Sequence, residues 1–92
     1  MRWANRRDLN HAQIVKELRD AHIWVYDTSR VGGGFPDLVV CSRNCLRLVE
    51  IKSERGKLTP AQERFMLENP QALSLIAHRA EDVIDYYNRR GL

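Results

Sequence analysis

Two stretches constrain the fold more than any other part of the chain: Phe35-Pro36-Asp37-Leu38-Val39-Val40-Cys41 and Leu46-Arg47-Leu48-Val49-Glu50-Ile51-Lys52. Each is apolar at both parities of a two-residue period, with Leu38 and Val40 against Val39, and Val49 and Ile51 against Leu46 and Leu48. Strands apolar on both faces belong in the middle of a sheet with helices on either side. Ser42-Arg43-Asn44-Cys45 between them is a turn signal, since Asn44 tolerates a left-handed backbone. A two-residue loop at Arg43-Asn44 makes the pair a hairpin. Counting back from Ser42 opposite Cys45, Val39 faces Leu48 and Asp37 faces Glu50. A slip of one residue would break that register.

The register poses an electrostatic problem. Directly opposed residues have Cβ atoms roughly 4.5–5.5 Å apart, where two ionised carboxylates repel. Either one carboxyl is protonated or a cation lies between them. Hard oxygen donors suit Mg²⁺ or Mn²⁺. Lys52 lies two residues past Glu50 and so points to the same face. Two carboxylates, a divalent metal and a lysine can clamp phosphoryl oxygens and activate water. The plainer alternative is a turn aspartate beside an exposed Glu-Lys pair on an edge strand. The apolar residues bracketing both acids argue for the metal site.

The rest of the chain supplies the layers. A helix is expected over about Asp8–His22, with Val15 and Leu18 as its apolar stripe, flanked by Ile14 and Ala21, and Asp8 or Asn5 as its cap. Ile23–Asp27 is β-branched and aromatic and reads as a strand. Thr59, Pro60 and Gln62 open a second helix with a capping box in its glutamine form. Phe65 and Met66 are its expected core residues. Ala72–His78 reads as a fourth strand, and Ala80 onward as a last helix packing Val83, Ile84 and Tyr87. The order α-β-β-β-α-β-α describes one α/β domain over residues 1–92, in three layers around a central mixed sheet.

With 92 residues and a formal net charge of +3, the chain permits a polyanionic partner without requiring one. The two cysteines, Cys41 and Cys45, form no Cys-x-x-Cys pair, which argues against structural zinc. They fit a reducing, intracellular setting. No apolar signal segment opens the chain and no stretch is long enough to span a membrane, so a cytoplasmic location is expected. His11, His22 and His78 read as packing or surface residues.

"FPD" followed by "EIK", with Glu50 thirteen positions after Asp37, resembles the PD-(D/E)XK nuclease superfamily and its restriction-endonuclease-like core. More narrowly, "NHAQIVKELRDA", "VGGGFPDLVV" and "LVEIKSERGKLTPAQ" are similar to the VRR-NUC family in its small stand-alone phage and bacterial form. That resemblance implies a metal-dependent DNA endonuclease. Asp37, Glu50 and the backbone carbonyl of Ile51 would ligate Mg²⁺ or Mn²⁺. Lys52 would orient water or stabilise the transition state, and Gln62 matches a glutamine that follows the motif. The resemblance further implies branched DNA, including four-way junctions, and a homodimer. Trp3, Trp24 and Tyr86, read as exposed aromatics, are candidate dimer contacts, with core packing an equal reading for Trp24.

The chain departs from the family on the first helix. Relatives usually carry a glutamate where this chain has Gln13, and glutamine is a weaker metal ligand. Glu17, one turn on, is a substitute ligand or an ordinary surface residue. Gly33 and Gly34 can admit a nucleic-acid backbone, with Arg30 adding a charged contact. Lys57 sits near a helix N-terminus where phosphate docks, and an ordinary basic loop is the other reading. Three further functions stay open: a non-catalytic DNA-binding module on the same fold, a protein-interaction or assembly subunit whose acids are structural, and a nuclease for simple duplex ends or RNA.

Overall fold

The computed structural model describes residues 6–89. Its elements follow the expected order: α1 (Arg6–Asp20), β1 (Trp24–Asp27), β2 (Leu38–Ser42), β3 (Cys45–Ile51), α2 (Pro60–Glu68), β4 (Ser74–Ala77) and α3 (Ala80–Arg89). The four strands form one sheet in the order β1-β2-β3-β4. β1–β2 and β2–β3 are antiparallel, and β3–β4 is parallel across the α2 connection. This is an α/β fold with a mixed open sheet and the strand order of a restriction-endonuclease-like core.

The β2–β3 hairpin has the expected register, with Ser42 opposite Cys45, Val39 opposite Leu48 and Leu38 opposite Val49. Arg43 and Asn44 both take positive φ, 53° and 60°. That is the twist a two-residue hairpin loop needs to match its strands. β2 and β3 are the two interior strands.

One face of the sheet carries the core. Leu38, Val40, Val49, Ile51, Val25 and Ala77 pack there against Ile14, Val15 and Leu18 of α1 and Ala80, Val83 and Tyr87 of α3. Tyr87 donates its hydroxyl to the Cys45 carbonyl at 2.8 Å, tying α3 to the start of β3. Burial pushes its phenol up to about 12.

The other face differs from the expectation. α2 meets it at Glu50, through Gln62, and leaves Trp24, Tyr26, Leu46 and Ile76 exposed. Interior strands are therefore covered fully on one side only. Phe65 and Met66 are half-buried and stay outside the core cluster; the buried residue of α2 is Gln62. α1 also begins earlier than expected, so Asp8 falls inside the helix rather than capping it. Asn5 and Trp3 lie outside the described residues. Tyr86 is not an exposed aromatic: it is half-buried, accepts a hydrogen bond from Arg47 Nε at 2.7 Å and stacks edge-on to Tyr87.

Candidate active site

β2 begins one residue after Asp37, and continuing its register by that residue sets Asp37 opposite Glu50. Asp37 is held from two sides. Its carbonyl accepts from the Thr28 N–H at 2.8 Å, and its Oδ2 accepts from the Ile51 N–H at 2.9 Å. Thr28, buried after β1, also donates its hydroxyl to the Pro36 carbonyl at 2.8 Å. The Pro36-Asp37 step is thus pinned to β1 by a threonine that sequence reasoning passed over, because a lone threonine after a strand carries no distinctive pattern.

Glu50 is 0 % exposed, Asp37 8 %, Lys52 9 % and Gln62 9 %. Buried carboxylates need partners, since an isolated buried charge is costly. Glu50 Oε2 accepts from Gln62 Nε2 at 3.1 Å, and the other end of that amide, Oε1, accepts from the Thr59 N–H at 2.8 Å. Thr59 Oγ1 accepts from the Gln62 N–H, completing the capping box. One glutamine therefore caps α2 and contacts a motif acid.

Lys52 follows the last residue of β3. Its N–H donates to the Ala77 carbonyl at 3.0 Å, and its own carbonyl meets His78 Nδ1 at 2.8 Å. Beyond it, Glu54 forms an ion pair with Arg79. β3 and β4 run parallel with Ile51 opposite Ala77, so Lys52 and His78 extend neighbouring strands side by side. This places beside the motif lysine a histidine that had read as packing or surface. The only signal for it was the parallel register, which depends on a crossover that local patterning does not set.

The glycine loop is built for close approach. Gly32, Gly33 and Gly34 all have positive φ. A Cβ on Gly34 would fall 2.2 Å from the Ala61 carbonyl oxygen, so Gly34 brings the loop against α2. Phe35 packs edge-on to Phe65 at 5.3 Å and fixes the same contact. At Gly33 the space is open. Arg30 and Lys57 are exposed on the two segments flanking this end of the sheet.

On α1, Gln13 Nε2 donates to Glu17 Oε2 at 2.6 Å. The structure thus pairs the first-helix position with the acid one turn on. Among the described residues no cluster of three or more His, Cys, Asp or Glu side chains forms a metal site. Two carboxylates with a backbone carbonyl still suit Mg²⁺, which keeps several waters and takes one or two protein carboxylates beside substrate phosphate. The donor set of Asp37, Glu50 and the Ile51 carbonyl fits such an ion in kind.

A mixed sheet whose interior strands bring two acids and a lysine to one end defines a restriction-endonuclease-like α/β protein. The VRR-NUC domain model matches residues 1–72, and the chain belongs to that family. This is a nuclease domain of a generally divalent-metal-dependent family, and DNA is the substrate it implies. Neither the curated proteins nor the solved structures gave a match. The family match includes α1, β1–β3 and α2 and ends before β4 and α3.

Proposed function

We propose that the protein is a Mg²⁺- or Mn²⁺-dependent DNA endonuclease, selective for branched DNA such as four-way junctions. The observation that carries this reading is the joint burial of Asp37, Glu50, Lys52 and Gln62 at one end of two interior strands. Asp37, Glu50 and the Ile51 carbonyl would hold the ion, with Glu17 as a further candidate. The bound ion would supply charge neutralisation at the phosphate and a more acidic water.

The chain's own groups do the rest. Lys52 would bring an ammonium to the phosphate oxygens as negative charge grows on them during water attack. Gln62 fixes the Glu50 carboxylate through its Oε2. Water adds to phosphorus, the bond to one ester oxygen breaks, and that oxygen leaves as a hydroxyl after taking a proton. Arg30, Lys57 and the amides around Gly33 and Gly34 supply phosphate contacts that position the strand.

The chain acts as one nuclease domain and as a homodimer in this reading. A domain of this size covers little DNA, and two copies place two sites against two strands. Support comes from Trp24, Tyr26, Leu46 and Ile76, which leave an apolar area on the sheet face away from the core. A cytoplasmic setting in a bacterial or phage-infected cell completes the proposal; no described helix is long and apolar enough to cross a membrane.

The test is a cleavage panel of linear duplex, flap, nicked and four-way DNA, and RNA, each with Mg²⁺, Mn²⁺ or chelator. Ion-dependent cutting of four-way DNA, lost in Asp37→Asn and Lys52→Ala, is the expected result. A preference for duplex ends or RNA would replace the substrate. Gln13 gives one rival a specific footing, because its amide replaces an acid: a non-catalytic DNA-binding module. Salt-sensitive binding with no cleavage, unchanged in Asp37→Ala, would establish that rival instead.

A further inference from the structure

The hydrogen-bond ladder between β3 and β4 ends in an unusual way. Ile51 pairs with Ala77, and Lys52 N–H donates to the Ala77 carbonyl. In a parallel ladder the next bond would run from the Arg79 N–H to the Lys52 carbonyl. That N–H is turned elsewhere: with the His78 N–H it donates to Asp82 Oδ2, at 3.2 and 2.8 Å, at the start of α3. The His78 ring takes its place and reaches the Lys52 carbonyl at 2.8 Å. A carbonyl only accepts, so the ring proton in this bond is on Nδ1. The Glu54–Arg79 ion pair ties the same two segments together just beyond.

We propose that His78 is a positioning residue for Lys52, supplied by a part of the chain that the family match does not include. Lys52 stands where β3 has ended, and its following peptide is free of any strand partner beyond this bond to the ring. Losing the bond frees that peptide and loosens the backbone from which the Lys52 side chain projects. The anchoring of His78 by Asp82 carries the constraint from α3 into the site. This inference rests on the nuclease reading for its effect on rate, but the hydrogen bond and the placement it enforces can be measured without cleavage.

The experiment uses the full chain and two variants. His78→Ala removes the donor. His78→Asn keeps an amide nitrogen at the distance of Nδ1 from the backbone. With Mg²⁺ and four-way DNA, His78→Ala is expected to lower kcat by about ten- to a hundredfold, with KM nearly unchanged. His78→Asn should recover most of that loss. Parental kcat in His78→Ala, or equal losses in both variants, overturns the proposal. NMR of the parent should show the His78 ring protonated on Nδ1, and the Lys52 and Ser53 backbone shifts should move in His78→Ala and return in His78→Asn. A ring protonated on Nε2 alone, or unmoved shifts, overturns it as well. If the parent cleaves no nucleic acid, the nuclease reading fails while these NMR results still decide the placement. If His78→Ala does not fold, the parent tautomer and the kcat of His78→Asn decide it.

Discussion

Gln62 joins two structural tasks in one side chain: its Oε1 accepts from the Thr59 N–H, and its Nε2 donates to Glu50 Oε2. The start of α2 and the position of a motif acid are thereby set by the same rotamer. A helix N-terminus that frays would release the acid, and an acid that moves would loosen the cap.

Gln62→Ala removes both bonds at once. It removes the acceptor of the Thr59 N–H and one donor to a buried carboxylate, which is expected to cost about 1–3 kcal/mol. Urea unfolding reads this directly. A change near zero would mean that water replaces the amide at both ends.

Glycine substitutions separate packing from backbone strain. Gly34→Ala sets a Cβ 2.2 Å from backbone oxygen and also requires φ of +86°. Gly33→Ala meets open space and carries only the cost of its φ of +65°. Gly33→Ala should therefore lower stability by about 1 kcal/mol and Gly34→Ala by clearly more. Thermal unfolding of the two variants side by side checks the order, and equal losses would remove the Ala61 contact as the cause.

Asp27 links β1 to α1 and to the turn that follows. Burial pushes its carboxyl up, but bonds from the Ser29 hydroxyl and N–H and from His11 outweigh that and hold it down to about 2. An acid whose folded value lies below its unfolded one stabilises the fold above the unfolded value. This contribution is complete above about pH 4 and fades as pH falls toward 2. Because Asp27 is 47 % exposed, it amounts to less than about 1 kcal/mol. Asp27→Ala should therefore flatten the acid limb of a stability–pH curve between those two values. An unchanged limb would locate the acid sensitivity in other carboxylates.

Tyr87 acts at the opposite end of the scale. Its phenol is neutral in the fold up to about 12 and would ionise near 10 in the unfolded chain. The folded state then holds the proton more tightly, so stability falls as pH rises from about 10 toward 12. Tyr87→Phe should abolish that alkaline loss. At neutral pH it should cost about 1 kcal/mol by removing the hydroxyl that bonds the Cys45 carbonyl. Tyrosine absorbance during alkaline unfolding follows both effects.

Much of the site was legible because a two-residue turn fixes the parity of a hairpin. Once Arg43-Asn44 forms the turn, the pairs from Ser42–Cys45 to Leu38–Val49 follow, and one further step of that register would bring Asp37 level with Glu50. The cap at Thr59, Pro60 and Gln62 was equally local. How much of the second sheet face is covered was not legible, because Leu46 and Leu48 share that face and look alike in sequence while one is 56 % exposed and the other 8 %. That difference depends on where a short helix lands. Phe65 and Met66 looked like core for the same reason. His78 escaped notice because its partner is 26 residues away and reached only through the parallel crossover.

The sheet order has a consequence for how the molecule breathes. Transient opening starts at outer strands, here β1 and β4, before it reaches interior ones. Glu50 sits in the inner strand β3 and rides out such excursions, whereas Asp37 leans on one rim through Thr28 and Lys52 on the other through His78. Under the role proposed for His78, loosening β4 would release the lysine while Glu50 keeps its register, so amide exchange along that rim and catalytic output should rise and fall in opposite directions.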